Sequence, residues 1–314
     1  MTGDMQYRRF GEHEISALVL GTVQFGLDYG VANTTGKPSQ ATVSRMLATA
    51  FEAGVNTLDT ASMYNQAETV LGRALGDLGM RDRIFICSKA RPHPKMAGTP
   101  EEQITAAVER SLRVLGVERI GLYLLHGYHA LPYVEALHRK REAGDIGAVG
   151  VSVYSVEEAL GAIATPGIDA LQHPVSVLDQ RFLRAGVLER AAEAGVAIFA
   201  RSVYLQGVVT MGIPDLPEPI AEVGAVLTRL RELAGELTIE ELALRYVASL
   251  SGITGVVVGM ETHEQMERNV AAVLAGPLDG PLLEAIGEAV PYLPDDIINP
   301  GFWRWIRDYD WGKR

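Results

Sequence analysis

Residues 43–59, VSRMLATAFEAGVNTLD, contain one complete unit of the fold that the sequence predicts. The first part carries apolar side chains at helical spacing, which predicts one buried face of an amphipathic helix. The residues of this face are Val43, Met46, Leu47, Ala50 and Phe51. Gly54 can end that helix, and residues 55–59 then form a short apolar run typical of a buried strand. The stretch therefore predicts a helix that leads into a buried strand.

The same alternation of helical and strand patterns extends over most of the chain. Short runs of apolar and β-branched residues are separated by amphipathic segments, and both faces of each run are apolar, as in parallel strands. The predicted strands are 18–22, 55–59, 84–89, 120–126, 148–152, 170–172, 196–201 and 255–259. Helix-capping pairs begin several of the segments between them. These pairs are Thr99 with Glu102, Ser155 with Glu158, Thr238 with Glu241 and Thr262 with Gln265.

Strands that alternate with helices predict an α/β fold in which right-handed crossovers join parallel strands. Closing eight such units gives a TIM (β/α)8 barrel, and one barrel domain accounts for residues 1–314. The alternative is an open doubly wound sheet, whose usual mark is a GxGxxG turn after the first strand. Residues 21–26, GTVQFG, lack that spacing. The sequence therefore favours the barrel.

Two segments fall outside the repeat. Residues 7–16 predict a short β-hairpin with its turn at Gly11-Glu12, which can cover the bottom of the barrel. From Pro291 onward a C-terminal tail is rich in aromatic residues, and it either packs on the barrel or forms a wall of the substrate pocket. The aromatic residues of the tail are Tyr292, Phe302, Trp303, Trp305, Tyr309 and Trp311.

The composition is that of an ordinary soluble protein, and its charge narrows the choice of partners. The 314 residues are 47% hydrophobic and 21% charged. A formal net charge of −11 disfavours nucleic acids and anionic membranes. The N-terminal sequence does not resemble a secretory signal, and no apolar run is long enough to span a membrane, so we expect a cytoplasmic enzyme. Cys87, the single cysteine, is expected to be a small core residue.

Four polar residues are predicted at the C-terminal ends of neighbouring strands, where a barrel carries its active site. Asp59, Lys89 and His126 end the second, third and fourth strands, and Tyr64 follows Asp59 by five residues. Each has an ordinary structural alternative: a helix cap, a solvated lysine, a histidine that satisfies backbone groups, or a packed tyrosine. Together they favour a function, because a lysine that emerges from an apolar strand needs a partner, and Asp59 is nearby.

These side chains suit the reduction of a carbonyl group. The carbonyl oxygen needs a proton as the hydride arrives, and Tyr64 is the candidate donor. Free tyrosine has a pKa of about 10, and we expect the positive charge of Lys89 to lower the pKa of Tyr64. Asp59 would keep Lys89 charged, and His126 can orient the carbonyl oxygen through a hydrogen bond. This chemistry requires no metal, and we expect none.

The sequence around these residues resembles the aldo-keto reductases. Residues 54–64, GVNTLDTASMY, are similar to the first signature of that family, and Ser88-Lys89 and residues 124–126, LLH, match its other catalytic positions. The resemblance runs from the N-terminal hairpin to Asn269. It implies a nicotinamide-dependent oxidoreductase that acts on an aldehyde, a ketone or an aldose, as a monomer or weak oligomer.

The resemblance also implies which residues hold the cofactor. It places Gly21-Thr22 beside the nicotinamide ribose and makes Ser152 and Gln172 the partners of the carboxamide. Residues 202–207 are similar to the pyrophosphate loop, and residues 259–269 to the segment that holds the adenosine and its 2′-phosphate. The predicted cofactor contacts are Gly21, Thr22, Asp59, Ser152, Gln172, Arg201, Ser202, Val203, Leu205, Gln206, Gly207, Gly259, Met260, Glu261, Thr262, Gln265, Arg268 and Asn269.

Three positions depart from the pattern of the family. Val153 stands where an asparagine often follows the serine, and Arg201 stands where an aromatic ring commonly stacks on the nicotinamide. The guanidinium can also stack, or its charge can meet an anionic substrate. Glu261 stands where relatives often carry Arg or Lys, and it would repel a 2′-phosphate, although Arg268 can compensate. The resemblance to the family thus implies NADP(H), while Glu261 is the physical argument for NAD(H) or for the use of both cofactors.

Substrate contacts and two competing functions complete the hypotheses. Residues 24–30, QFGLDYG, supply polar and aromatic groups, so Phe25 is predicted to contact a small carbonyl substrate together with Tyr64 and His126. One alternative is a lyase or aldolase that uses Lys89 to form a Schiff base. The other is a redox-silent protein that binds nicotinamide cofactors without turnover.

Overall fold

The structure is a computed structural model that describes residues 3–303. Two short strands come first and form an antiparallel hairpin, and eight parallel strands then close into a barrel in chain order. The hairpin strands are β1 (Tyr7–Phe10) and β2 (His13–Ser16). The barrel strands are β3 (Leu18–Gly21), β4 (Thr57–Asp59), β5 (Phe85–Ala90), β6 (Ile120–Leu125), β7 (Ile146–Ser152), β8 (Ala170–Pro174), β9 (Ala197–Arg201) and β10 (Ile253–Gly259). The predicted barrel and hairpin are both confirmed.

Most helices occupy the segments between the barrel strands, and the last three follow the final strand. The helices are α1 (Val23–Gly26), α2 (Gln40–Glu52), α3 (Ala67–Asp77), α4 (Pro100–Leu115), α5 (Glu135–Glu142), α6 (Val156–Ile163), α7 (Arg181–Arg184), α8 (Val187–Glu193), α9 (Val223–Ala234), α10 (Ile239–Ser249), α11 (His263–Leu274), α12 (Gly280–Ala289) and α13 (Asp295–Ile298). The predicted capping pairs at Thr99 and Thr262 form complete capping boxes at the starts of α4 and α11. In the described part of the chain, no helix combines the length and the apolar character that a bilayer span needs.

Side chains of each barrel strand alternate between the interior and the helical layer. In β5, Phe85 and Cys87 belong to the interior apolar cluster, whereas Ile86 and Ala90 pack beneath the helices. Lys89 continues the interior row of Phe85 and Cys87 toward the C-terminal end of the strand. The parallel register aligns Asp59 with Cys87, and Lys89 with Leu124. This alternation brings the polar ends of neighbouring strands into one place.

The hairpin covers the N-terminal end of the barrel. The Phe10 ring packs edge-to-face on Phe85 and Phe199, with ring centroids 6.0 and 5.8 Å apart. Ile15 of the same hairpin is fully buried in the interior cluster. The bottom of the barrel is thus closed by apolar packing, as the sequence predicted.

Candidate active site

A buried ion pair lies inside the barrel at the C-terminal ends of β4 and β5. Lys89 Nζ donates to Asp59 Oδ1 at 2.6 Å and to the carbonyl oxygen of Thr60 at 2.9 Å. Gln172 Nε2 donates to the other carboxylate oxygen of Asp59 at 2.7 Å. Lys89 is only 1% exposed, so both charges are held away from solvent and oriented by their partners. The lysine thus has the partner that its burial predicted.

The rings of Tyr64 and His126 lie next to this ion pair. Lys89 Nζ is 5.4 Å from the centroid of the Tyr64 ring, and the Tyr64 and His126 rings meet edge-to-face with centroids 5.7 Å apart. Tyr64 follows β4 through a tight turn, because its N–H donates to the carbonyl oxygen of Ala61. The structure therefore brings together all four residues that the sequence singled out as catalytic candidates.

The electrostatics of Tyr64 differ from the expectation. Burial, and then the negative charge of Asp59, raise the pKa of Tyr64 well above its ordinary value, whereas Arg201 lowers it. The expected net lowering of this pKa was wrong, because burial and the negative charge of Asp59 dominate the environment of the phenol. Tyr64 therefore keeps its proton at neutral pH.

His126 is held in its neutral form. Burial, and then the positive charge of Lys89, lower the pKa of His126 well below its ordinary value, and Arg201 acts in the same direction. His126 Nδ1 is buried and has no hydrogen-bond partner among the described residues. A neutral imidazole has one N–H donor and one acceptor nitrogen, so His126 can donate a hydrogen bond to a substrate oxygen.

A cavity of about 550 Å³ extends from Tyr64 and His126 to the start of α11. We call it the long cavity. Most of the predicted cofactor contacts line it. They are Gly21, Thr22, Asp59, Gln172, Arg201, Ser202, Val203, Gln206, Gly207, Gly259, Glu261, Gln265, Arg268 and Asn269. The other four predicted contacts do not line it: Ser152, Leu205 and Met260 are buried, and Thr262 is the partly exposed N-cap of α11.

The prediction for Phe25 was wrong. Its side chain is 2% exposed and belongs to the hydrophobic core, because the single turn of α1 directs the ring inward. The neighbouring Gln24 lines the long cavity instead. Tyr154 also lines this cavity and was missed by the sequence reasoning, whereas Tyr29 and Tyr204 lie in segments 24–30 and 202–207, which the sequence had singled out.

Two buried hydroxyls beside the long cavity fit a nicotinamide cofactor. Ser152 Oγ and Thr22 Oγ1 are buried and lack a hydrogen-bond partner within residues 3–303. Ser152 ends β7 next to Gln172, with which it is paired in register. Buried hydroxyls are normally hydrogen-bonded, so these atoms suit the carboxamide and hydroxyl groups of such a cofactor.

The loop after β9 forms a turn with unusual backbone conformation. Ser202, Leu205 and Gln206 have φ angles of 63°, 47° and 55°, which are uncommon for residues with side chains. The Gln206 carbonyl oxygen accepts hydrogen bonds from the N–H groups of Val31 and Ala32, so this turn is tied to the loop after α1. A Cβ atom at Gly207 would lie 2.5 Å from that of Ala32, so this close approach requires glycine. Together the two segments enclose one side of the long cavity.

The far end of the long cavity is formed by the start of α11. Glu261 N–H donates to Gln265 Oε1 at 2.9 Å, and burial raises the pKa of the Glu261 carboxyl above its ordinary value. Arg268 lines the same end. Tyr204, in the turn after β9, donates its hydroxyl hydrogen to Asn269 Oδ1 at 2.7 Å and so fixes the turn to this helix.

A second cavity of about 450 Å³ adjoins the first at His126, Tyr154 and Arg201. We call it the arginine cavity, because Arg91 and Arg201 both line it. Residues 299–302 of the C-terminal tail form another wall, which includes Phe302. Trp303 is instead buried, with Nε1–H donated to the carbonyl oxygen of Ile297 at 3.1 Å. Trp305, Tyr309 and Trp311 lie outside the described residues.

Comparisons with known proteins agree with this geometry. The family model described as "Aldo/keto reductase family" matches residues 17–289. An L-glyceraldehyde 3-phosphate reductase of Escherichia coli O157:H7 is 27% identical over an alignment that covers 86% of this chain and 88% of the relative. An uncharacterized oxidoreductase of Mycobacterium tuberculosis is 28% identical, with coverage of 83% and 85%. The holo form of an aldo-keto reductase from Bacillus halodurans superposes with a TM-score of 0.78 at 25% identity and covers 94% of this chain and all of that one (100%). The chain therefore belongs to the aldo/keto reductase family, whose members are nicotinamide-dependent oxidoreductases of small carbonyl compounds.

Proposed function

We propose that this protein reduces an aldehyde, ketone or aldose, or oxidises the corresponding alcohol, with Tyr64 as the proton donor. The observation that carries the proposal is the position of the Tyr64 and His126 rings beside the buried Lys89–Asp59 pair, at one end of the long cavity. Thr22 Oγ1, in the wall of the long cavity, and Ser152 Oγ, next to the wall residue Gln172, are unpartnered hydroxyls that suit a nicotinamide cofactor. When bound, the reduced nicotinamide supplies the hydride.

The residues of the chain then act on the carbonyl oxygen. Neutral His126 donates a hydrogen bond that orients this oxygen and polarises the carbonyl group. Tyr64 gives its proton to the oxygen as negative charge develops there. Lys89 carries a positive charge 5.4 Å from the ring centroid and stabilises the phenolate that Tyr64 becomes. Asp59 and Gln172 keep Lys89 in place throughout.

Replacing Tyr64 with phenylalanine tests the assignment of the donor. The Tyr64→Phe variant keeps the ring but loses the proton, so kcat should fall by about 10²- to 10⁴-fold. Cofactor affinity, measured by fluorescence titration, should stay close to that of the unmodified protein. Tyr246→Phe, a matched change at a buried tyrosine of α10 outside both cavities, should keep full turnover. Full activity of Tyr64→Phe would exclude Tyr64 as the donor.

The geometry disfavours the lyase alternative. A Schiff base requires an unprotonated and accessible amine. Lys89 is 1% exposed and its ammonium group is paired with Asp59, so it has neither property. Trapping with borohydride in the presence of a carbonyl compound should therefore yield no covalent adduct at Lys89. An adduct there would favour the lyase.

A cofactor-oxidation screen distinguishes the proposed reductase from the redox-silent alternative. Aldehydes, ketones and aldoses are tested with both cofactors, and glyceraldehyde 3-phosphate is included because one relative is named for its reduction. We expect turnover of at least one carbonyl class. Tight cofactor binding without turnover of any compound would favour a non-catalytic partner protein.

For the cofactor itself, we propose a preference for NADP(H). Arg268 lines the end of the long cavity where α11 begins, and its guanidinium can meet a 2′-phosphate there. Glu261 opposes this preference, although burial raises the pKa of its carboxyl and so disfavours its charged form. Parallel titrations with both cofactors measure the preference. Equal or tighter binding of NAD(H) would overturn it.

A further inference from the structure

The arginine cavity holds two cations beside the catalytic candidates. Arg201 is the last residue of β9 and follows Phe199 in the interior row of that strand. Arg91 follows Lys89 by two residues, so it continues the interior row of β5 beyond the end of the strand. Both arginines and His126 line the same cavity. Arg91 is exposed to solvent and Arg201 is half-buried, and the charges of both act on His126 by lowering its pKa.

The protein holds Arg201 in a fixed position without neutralising its charge. Nη2 donates to the carbonyl oxygen of Val153 and Nη1 to Ser202 Oγ, each at 3.2 Å. The guanidinium carbon lies 4.2 Å from the centroid of the Tyr154 ring. All of these partners are uncharged. The guanidinium carries five N–H donors, so further donors remain for a ligand.

Neither arginine forms an ion pair with a carboxylate of residues 3–303. Glu158 also lines the arginine cavity, and its Oε2 accepts the Tyr154 N–H at 2.7 Å, so one carboxylate oxygen is already engaged by the backbone. Two arginines against one glutamate leave the cavity with a positive balance. This differs from the chain as a whole, whose formal net charge is −11.

We propose that the arginine cavity selects carbonyl substrates that carry an anionic oxygen group, either a phosphate monoester or a carboxylate, near the carbonyl. This inference rests on the proposed carbonyl reduction. The carbonyl lies against Tyr64 and His126, and the anionic group extends into the arginine cavity, where Arg201 and Arg91 donate hydrogen bonds to it. Planar guanidinium groups match the geometry of both anions, and such charge-assisted bonds are stronger than neutral ones.

Matched substrate pairs test the selection. Glyceraldehyde is compared with glyceraldehyde 3-phosphate, and butanal with succinic semialdehyde, by kcat/KM in the presence of cofactor. The charged member of at least one pair should be preferred by about tenfold or more, which corresponds to about one charge-assisted hydrogen bond. A preference for the phosphate identifies a phosphate monoester as the ligand, and a preference for the semialdehyde identifies a carboxylate.

Substitutions of the two arginines test whether they cause the preference for the charged substrate. Arg91→Gln and Arg201→Gln should each reduce the ratio of charged to neutral kcat/KM by about ten- to a hundredfold. Arg113→Gln is the matched control: it lies in the last turn of α4, at the opposite end of the barrel, and should leave this ratio unchanged. Calorimetric titration with glycerol 3-phosphate or succinate, and with glycerol as the neutral control, gives a readout without turnover. Binding of the preferred anion should be lost in Arg91→Gln.

The outcomes separate this inference from the proposed function. Reduction of neutral carbonyls without preference for a charged member overturns the anion selection and leaves the proposed function standing. A preference that survives both arginine substitutions also overturns it, because the anion is then bound elsewhere. Failure to reduce any carbonyl with either cofactor overturns the proposed function and, with it, this inference.

Discussion

The interior of the barrel is lined by aromatic side chains at its N-terminal end and by charged side chains at its C-terminal end, although the same strands carry both sets. At the N-terminal end, Phe85 and Phe199 pack against Phe10 of the hairpin, and the His13 ring also contacts Phe85, with centroids 4.9 Å apart. At the C-terminal end, the same row of β5 carries Lys89, which is bonded to Asp59. Phe85 and Lys89 face the same interior and are separated by only four residues, about 13 Å along a strand.

This difference shows how the barrel separates stability from chemistry. Apolar side chains tolerate burial without a specific partner, so the lower layers fill the interior of the hydrogen-bonded barrel by packing. A buried charge is stable only with a partner at hydrogen-bond distance, so the upper layer must fix the geometry of Lys89, Asp59 and Gln172. The contrast predicts that changes at the upper end impair turnover, whereas changes at the lower end impair only folding.

Replacing Lys89 with methionine should produce the largest effect, because it acts on both properties. The variant leaves the buried Asp59 without its cation, which should lower the free energy of unfolding by about 3–5 kcal/mol. Turnover should also fall by about a hundredfold or more, because the ammonium group closest to the Tyr64 ring is lost when the phenolate forms. Denaturant unfolding and steady-state kinetics measure the two losses.

A double variant distinguishes the two effects of Lys89. Asp59→Leu combined with Lys89→Met removes both charges, so part of the lost stability should return. Turnover should remain low, since the positive charge is still absent. Recovery of turnover in the double variant would show that Lys89 matters only for folding and would break the contrast between the two ends.

Replacing Phe85 with alanine is the matched change at the lower end. Removing a buried phenylalanine ring should lower the free energy of unfolding by about 3–5 kcal/mol, through lost apolar burial and the cavity left behind. Turnover of the folded protein, measured below its unfolding transition, should be unchanged. Phe85→Leu should show the same pattern with a smaller loss. A large fall in kcat for either variant, with native stability, would show that the lower layers also control the chemistry.

The sequence predicted the fold and the centre of the site because both depend on local periodicity. Alternation within each strand determines which side chains face the interior, and the parallel order of strands then aligns Asp59, Lys89 and His126. The same alternation, extended two residues beyond the strand ends, would also have identified Arg91 and Tyr154, which line the arginine cavity. Both residues lie two positions beyond the polar residue that ends the predicted strand, so a prediction confined to strand ends does not include them.

Other features depend on distances that no local pattern contains. The pKa of Tyr64 is controlled by how deeply its ring is buried and by the charge of Asp59, and the sequence gives neither. Phe25 and Gln24 are adjacent in the sequence, yet α1 directs the phenylalanine into the core and the glutamine into the long cavity. Loop conformation decides such cases, as it does for the contact between Gly207 and Ala32.

A smaller effect on stability is expected when His173 is replaced. This change tests whether a residue at the C-terminal end of a strand takes part in the reaction even when it faces away from the interior. His173 neighbours Gln172 in β8 but faces the helical layer, where its ring stacks on Phe182 with centroids 4.2 Å apart. Burial is the main cause that lowers the pKa of His173 to about 4, with Arg201 acting in the same direction, whereas the hydrogen bond to the Pro174 carbonyl raises it. A histidine in the unfolded chain titrates near 6.5, so the unfolded state takes up the proton first as the pH falls.

The stability contributed by neutral His173 is therefore complete above about pH 6.5 and is lost as the pH falls toward about 4, by about 3 kcal/mol in total. His126 has a lowered pKa as well and adds a loss of the same sign. Urea midpoints at several pH values between 7 and 4.5 should therefore fall less steeply for His173→Phe than for the unmodified protein, while the kcat of the variant at pH 7 stays the same. Identical pH slopes for the two proteins would contradict the assignment of this titration to His173. A large loss of turnover in His173→Phe would instead show that side chains on the outward face of a strand end also serve the reaction. At the upper end, function would then not be confined to side chains that face the interior.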